Sequence, residues 1–319
     1  MKRALIVTLA LLVTFAVFVT GCAPQKQFLS IATGGTGGVY FPLGGALAQI
    51  LNANIRNMEA SARVTGASVA NANLLAQAGA EGVEIAFLQN DIAYYSYKGL
   101  EMFKDRKNDQ IRGIATLYPE VIQLIVTEAS GIRSVRDLAG KRVAVGAAGS
   151  GTEANARQVL AAFGVEYTAL AKVEYLPFGD ATSQIRDGHL DAAFVTAGVP
   201  TSAVTELANS IAIALVPITG PEVDALRTAH PFYIKHTIPA GTYRGLAAPV
   251  ETVAVRAMIA VKASLTERQV YDITKALFNN LPAFGAAHVR GKDLTLATAQ
   301  EAMPIPLHPG AARFFTERR

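Results

Sequence analysis

Apolar and polar positions alternate along this chain as short strands, glycine-rich turns and helices. Residues 29–33 form an apolar strand that runs through Gly34, Gly35, Gly37 and Gly38 into a helix extending to Leu51. Pro42 suits the first turn of that helix, where no N–H partner is needed. Residues 57–63 predict a second strand, and Ser68 is placed to cap a helix running to Ala78. Residues 83–90 have the β-branched and aromatic content of a third strand, after which Asp91 can cap a helix bearing Tyr94, Tyr95 and Tyr97. This βαβαβα order predicts a mainly parallel sheet with flanking helices, an α/β fold.

The pattern then changes and returns. Residues 111–127 form one long apolar β pattern broken at Tyr118-Pro119-Glu120. A proline in mid-run argues for a bend between elements, so this passage is expected to be a first crossover between two lobes. Residues 141–145 make a strand that leads into Gly146, Gly149 and Gly151 and then a helix, with Ser150 and Glu153 at capping-box spacing. Strands over 173–178 and 190–196 flank a helix over 180–186. Residues 211–217, again ending near a proline, are the expected return crossover; a strand over 251–261 and a capped helix over 266–278 then close the first lobe. The expected division is 28–117 with 217–319 for one lobe and 118–216 for the other, hinged at 116–120 and 215–219.

Both glycine loops lie between a strand and a helix N-terminus, where free N–H groups and the helix dipole favour an anionic ligand. Neither is a nucleotide site by pattern. In the first loop, Tyr40 stands where the third glycine of a dinucleotide fingerprint belongs, and no lysine lies between Ser30 and Arg56 to complete a phosphate loop. Neither serine sits in a G-x-S-x-G nucleophile elbow: Ser68 has Gly66 before it but Ala70 after it, and Ser150 is flanked by Ala148 and Thr152.

Composition adds location. The 319 residues are 51% hydrophobic, enough for more than one core. Lys2 and Arg3 precede an uncharged, mostly apolar run over 4–20, and Val19-Thr20-Gly21-Cys22 places small residues before the only cysteine. This reads as an export signal over 1–21, followed by a short tether over 22–27. Lys2 and Arg3 are two of the 29 basic residues, so the remainder carries 27 against 25 acidic ones. No basic stripe with interleaved aromatics suggests nucleic acid. The five histidines, His189, His230, His236, His288 and His308, have no paired-ligand spacing, so neither a metal nor a cofactor is expected.

Taken together, the residues resemble the TAXI family of solute-binding proteins of TRAP-type transporters. The resemblance rests on Gly34-Gly35-Thr36-Gly37-Gly38-Val39-Tyr40, Phe87-Leu88-Gln89-Asn90-Asp91, Gly149-Ser150-Gly151-Thr152-Glu153, Leu190-Asp191-Ala192-Ala193-Phe194 with Ala197-Gly198, and His308-Pro309-Gly310-Ala311. The start of the chain resembles a bacterial lipoprotein signal, which implies lipidation of Cys22 and an extracytoplasmic, membrane-anchored protein. The family resemblance implies a two-lobed periplasmic-binding fold of type II. It also implies a monomer that hands a small carboxylate, such as glutamate or glutamine, to a membrane permease without chemistry on it. Carried over by motif, the ligand would meet Thr36, Gly37, Tyr40, Ser68, Gln89 and Asn90 from one lobe. Ser150, Gly151, Thr152, Thr196, Ala197 and Gly198 would face them from the other. Ser68 sits in Thr65-Gly66-Ala67-Ser68, where the family often has a serine directly after the glycine.

Overall fold

The computed structural model describes residues 26–318. Cys22 and the export segment lie outside them. The first elements are β1 (Gln27–Ala32), α1 (Tyr40–Asn54), β2 (Met58–Arg63), α2 (Ser68–Ala76), β3 (Ile85–Gln89) and α3 (Asn90–Lys98). β1 pairs in parallel with β2 on one side and β3 on the other. All five residues of β3 are buried, as expected for a parallel strand covered on both faces. α1 lies close on β1 because Gly44 faces Thr33; a Cβ at that position would overlap the threonine methyl.

The second group repeats this plan. β4 (Ile111–Thr127) is followed by β5 (Arg142–Ala144), α4 (Gly151–Ala162), β6 (Lys172–Glu174), α5 (Phe178–Arg186), β7 (Ala192–Ala197), α6 (Ser202–Ser210) and β8 (Ile213–Val216). β5 pairs in parallel with both β6 and β7. Then come α7 (Pro221–Ala229), β9 (Ile234–Ile238), β10 (Val250–Lys262), α8 (Glu267–Asn279), α9 (Leu281–Ala287) and α10 (Pro309–Thr316). All strands belong to one ten-stranded sheet ordered β2-β1-β3-β10-β4-β7-β5-β6, with β8 on β4 and β9 on β10.

Two separate pairs of cores sit on this sheet. Leu43, Leu47, Phe87, Ile259 and Phe314 belong to one cluster in the first lobe, and Leu75, Leu88, Ile92 and Met258 to another. In the second lobe, Ile122, Val143, Val159 and Phe194 are in one cluster, and Ile125, Ile185, Val195 and Val204 in another. Each lobe is thus a parallel trio of strands with helices on both faces, joined through β4 and β10.

The crossings differ from the sequence expectation. β4 does not bend apart at Tyr118-Pro119-Glu120: it is one strand of 17 residues, with Pro119 opposite Arg256 of β10. On the other side of β4, Gly113 and Thr116 donate to the carbonyls of Pro306 and Ala299, and β7 begins only at Val121. Pro119 therefore occupies a short edge inside a central strand, where a missing N–H is tolerated. The return does not run through 211–217 either. That run is β8, paired with residues 124–127 of β4, and Ile218, Val223, Leu226 and Tyr233 remain in the second lobe's core. The chain returns along β10, whose Val253 and Val255 pack in the second lobe and whose Ala257, Ile259 and Val261 pack in the first. The apolar run marked burial against β4, not passage between lobes. A smaller difference matters for the cleft: the strand expected over 173–178 stops at Glu174, and α5 starts at Phe178.

Candidate functional site between the lobes

The turns that follow β1, β2, β3, β5, β6 and β7 converge where the lobes face each other, at the carboxyl ends of the parallel strands, the place where open α/β sheets bind ligands. They enclose a cavity of about 110 Å³. From the first lobe, Gly37, Tyr40, Ser68 and Gln89 line it. From the second come Ser150, Gly151, Thr152, Thr196 and Ala197. Three residues of the expected set are elsewhere. Thr36 is exposed at the tip of its loop and is not in the cavity wall. Asn90 spends its side-chain oxygen on the N–H groups of Asp91 and Arg256, each at 3.0 Å. A Cβ on Gly198 would meet Arg290 and Tyr118, so this glycine serves packing beside the cavity.

Local chemistry explains each wall. Ser150 caps α4 by accepting from the Glu153 N–H at 3.1 Å. The reciprocal half of the capping box is not made; Glu153 instead accepts from the Tyr167 hydroxyl at 3.1 Å and pairs with Arg157. Thr152 Oγ1 accepts from the Thr196 N–H at 3.3 Å, tying α4 to the end of β7. Ser68 is the first residue of α2 rather than its cap, and its hydroxyl accepts from the Gln89 N–H at 3.2 Å. The residue before it, Ala67, has φ 72° and ψ −146°. A positive φ on alanine is a strained backbone, of the kind that clusters at ligand sites.

The lobes touch on both sides of the cavity, so this is a closed arrangement. Ala70 N–H donates to Gly149 O at 2.9 Å, and Ala203 N–H donates to Gly37 O at 3.2 Å. The glycines permit the approach: a Cβ on Gly66 would stand 2.8 Å from Ala148 O, and one on Gly38 would meet the Phe178 ring at 3.4 Å. Deeper in, Gln89 donates through Nε2 to Asn155 Oδ1 at 3.0 Å, and Asn155 Nδ2 donates to Asp91 Oδ2 at 3.0 Å and to the Tyr233 hydroxyl at 2.9 Å. Asn155 is thereby the centre of a buried network between α3 and α4.

No lysine, arginine or histidine lines the cavity; its one ionisable carboxyl is Glu120, supplied by β4 at the crossing. Tyr40 Oη donates to Glu120 Oε2 at 2.7 Å. Burial pushes the Glu120 carboxyl up to about 8, against the lowering effect of that hydrogen bond. Burial, with the nearby Glu120, also lifts the Tyr40 phenol well above its ordinary value. Asp91 is raised to about 6, again mainly by burial. Among the described residues, no group of His, Cys, Asp and Glu is arranged to hold a metal ion.

Sequence reasoning missed Glu120, Asn155, Pro177, Phe178 and the strained turn at Thr65 to Ala67. Only Glu120 carried a signal: it is the one carboxylate within the apolar run 111–127. A buried acid in a strand is itself a functional indication.

Two α/β lobes on one sheet, joined by crossing strands around a cavity at the strand ends, define a periplasmic-binding-protein-like fold. The chain belongs to the NMT1-like family, whose model matches residues 31–318. Among solved structures it is similar to a protein of Bordetella bronchiseptica RB50, at 14% identity over 92% of this chain and 98% of that one, with a TM-score of 0.56. It is also similar to a protein described as a periplasmic transporter, at 12% identity over 93% of each chain, with a TM-score of 0.55. The alkanesulfonate-binding protein SsuA from Xanthomonas axonopodis pv. citri, bound to MOPS, matches at 15% identity over 93% of this chain and 86% of that one, with a TM-score of 0.47. At these identities the likeness to the first two is one of fold. No helix among the described residues is long and apolar enough to cross a membrane.

Proposed function

We propose that the chain is an extracytoplasmic solute receptor of the TAXI type. In this reading it closes its lobes on a small carboxylate, with glutamate and glutamine the first compounds to test, and presents it to the permease of a TRAP-type transporter. The observation that carries this reading is the cavity wall itself. Four helices, α1, α2, α4 and α5, begin in the wall at Tyr40, Ser68, Gly151 and Phe178, and of these only α4 has a side-chain cap. The first N–H groups of a helix have no intrahelical partner, and the dipole favours negative charge there. With no cationic side chain in the wall, neutral donors are what a carboxylate would meet, at lower desolvation cost than a buried arginine.

A solute touching both lobes makes contacts available only in the closed form and so shifts the population toward closure. Anchoring through a lipid on Cys22 and action as a monomer complete the proposal. A sensory role, presenting the solute to a signalling receptor, would use the same site. The serine hydrolase alternative has less support, because the wall holds no histidine to activate Ser68 or Ser150.

The test is a thermal-shift screen on refolded, ligand-free protein with amino acids, dicarboxylates, 2-oxo acids, sugars and polyamines. A solute at about 100 times its dissociation constant adds roughly 2.7 kcal/mol, a rise of several degrees in a chain this size. Shifts confined to sugars or polyamines would refute the carboxylate assignment.

A further inference from the structure

The donors of the cavity wall account for one end of a solute. The wall also contains buried acceptors facing the same space. Glu120, Gln89 and Thr196 are only 3%, 2% and 4% exposed, and all three line the cavity. Gln89 Oε1 and Thr196 Oγ1 have no hydrogen-bond partner. The orientation of the Gln89 amide follows from its neighbours. Asn155 uses its NH₂ group on Asp91 and Tyr233, so its oxygen must accept, and Gln89 must turn its own NH₂ toward it. The Gln89 oxygen is left against Gly151 at the cavity wall. Glu120 accepts from Tyr40 and lies beside the Gln89 side chain, and in its ionised form it has lone pairs to spare.

With Glu120 ionised, these buried acceptors are short of donors, a desolvation penalty that a solute bringing hydrogen-bond donors would remove. We infer that Glu120, with Gln89 Oε1 and Thr196 Oγ1, forms the subsite for an ammonium group of the solute, so that the receptor selects amino acids over carboxylates that lack the amine. This rests on the solute-receptor reading and deepens it. The two ends of the cavity then divide the work: helix N-termini take the carboxylate, and the β4 acid with the strand-end acceptors takes the ammonium.

The inference has a protonic consequence. In the empty cleft, burial keeps Glu120 protonated at neutral pH. The groups facing it are Tyr40 from α1, Gln89 from β3, Asp91 from the first turn of α3, and Tyr118 from its own strand; none is a cation. When an ammonium arrives, the carboxyl ionises and its proton leaves to solvent, so one charge enters the site as one proton departs.

The experiment compares the standard amino acids with their corresponding 2-oxo acids by calorimetry on full-length protein, in two buffers of different ionisation enthalpy at pH 6. Wild type should prefer the best amino acid over its 2-oxo acid by about tenfold or more, since a hydrogen bond to a charged group is worth about 1.5–3 kcal/mol. Binding should release close to one proton. Glu120→Gln keeps the shape and an acceptor for Tyr40 but should lose most of that preference and the proton release. Thr196→Val, a second variant, should weaken amino acids selectively by several-fold. A 2-oxo acid that binds wild type as tightly as its amino acid, or a preference intact in Glu120→Gln, overturns the inference. Binding of no carboxylate of either kind would instead overturn the receptor reading beneath it.

Discussion

Glu120→Gln should make the empty protein more stable, by an amount set by pH. Glu120 sits in the cavity wall with its carboxyl raised from 4.5 to about 8, mainly by burial. A carboxyl raised in this way holds its proton more tightly in the folded chain than in the unfolded one. Its contribution is therefore fully present below 4.5 and is lost as pH rises through 8. At pH 7 the unfolded chain has ionised Glu120 and the folded chain has not, a gap of about 2.5 pH units, or roughly 3 kcal/mol. Glutamine has no such loss and can still accept from Tyr40. The variant should match wild type near pH 4.5, exceed it by about 3 kcal/mol at pH 7, and gain no more once pH passes 8. For a chain of this length, about 1.5 °C per kcal/mol makes the pH 7 difference roughly 5 °C. Scanning calorimetry of both proteins without solute, from pH 4.5 to 9, measures it. Asp91, raised to about 6, titrates in both proteins and its charge is part of what raises Glu120, so the difference is read most directly at pH 7 and above, where Asp91 is ionised. A difference in melting temperature that is flat with pH, or that shrinks as pH rises, would show that Glu120 is not held neutral by burial.

Two other outcomes are expected. Gly151→Ala would place a Cβ in overlap with Gln89 Oε1 and Cδ, expelling the side chain that bonds Asn155 across the lobes. Overpacking of about 1–3 kcal/mol, borne by the closed form, should weaken solute binding roughly 5- to 150-fold and leave the scattering radius of solute-treated protein larger than that of wild type; wild-type affinity would contradict the geometry. Cys22→Ser should release the protein from membranes or stop its processing, read by fractionation and intact mass, and unchanged retention and mass would remove the lipid-anchor proposal.

Much of this fold is legible in the sequence because its signals are local. The repeated order of apolar strand, glycine loop and helix start marks β1 to α1 and β5 to α4, and the wall positions Gly37, Ser150 and Gly151 come with those loops. The misreadings concern properties that depend on distant partners. Pro119 looks like a break because proline is judged along its own strand, whereas its tolerance here depends on the gap between the Ala299 to Leu307 passage and β7. Residues 211–217 look like a lobe crossing because a buried short strand and a crossing strand are equally apolar. Thr36 and Asn90 sit within motifs whose neighbours reach the cavity, and only the direction of each side chain separates them from Gly37 and Gln89. Phe178 is invisible as a wall residue until the strand before it ends at Glu174, ahead of a turn through Leu176 and Pro177.

The two strands that pass between the lobes are paired with each other where they cross, so the lobes are coupled by a ribbon and not by two free linkers. The pairing is irregular there, with register shifts in β10 between Arg256 and Met258 and again between Ile259 and Ala260, opposite residues 113–119 of β4. A bulged ribbon has a resting twist and a stiffness, and both are properties of residues outside the cavity. Apparent affinity is the intrinsic affinity scaled by the fraction of molecules already in the binding-competent shape. Substitutions at 256–260 or 116–119 that retune the ribbon would thus multiply the affinity for every solute by a common factor, like the gain on an amplifier, and leave the order of preference to the cavity wall. Sensitivity and selectivity are separately adjustable in this architecture: one resides in the strands that join the lobes and the other in the turns that face across them.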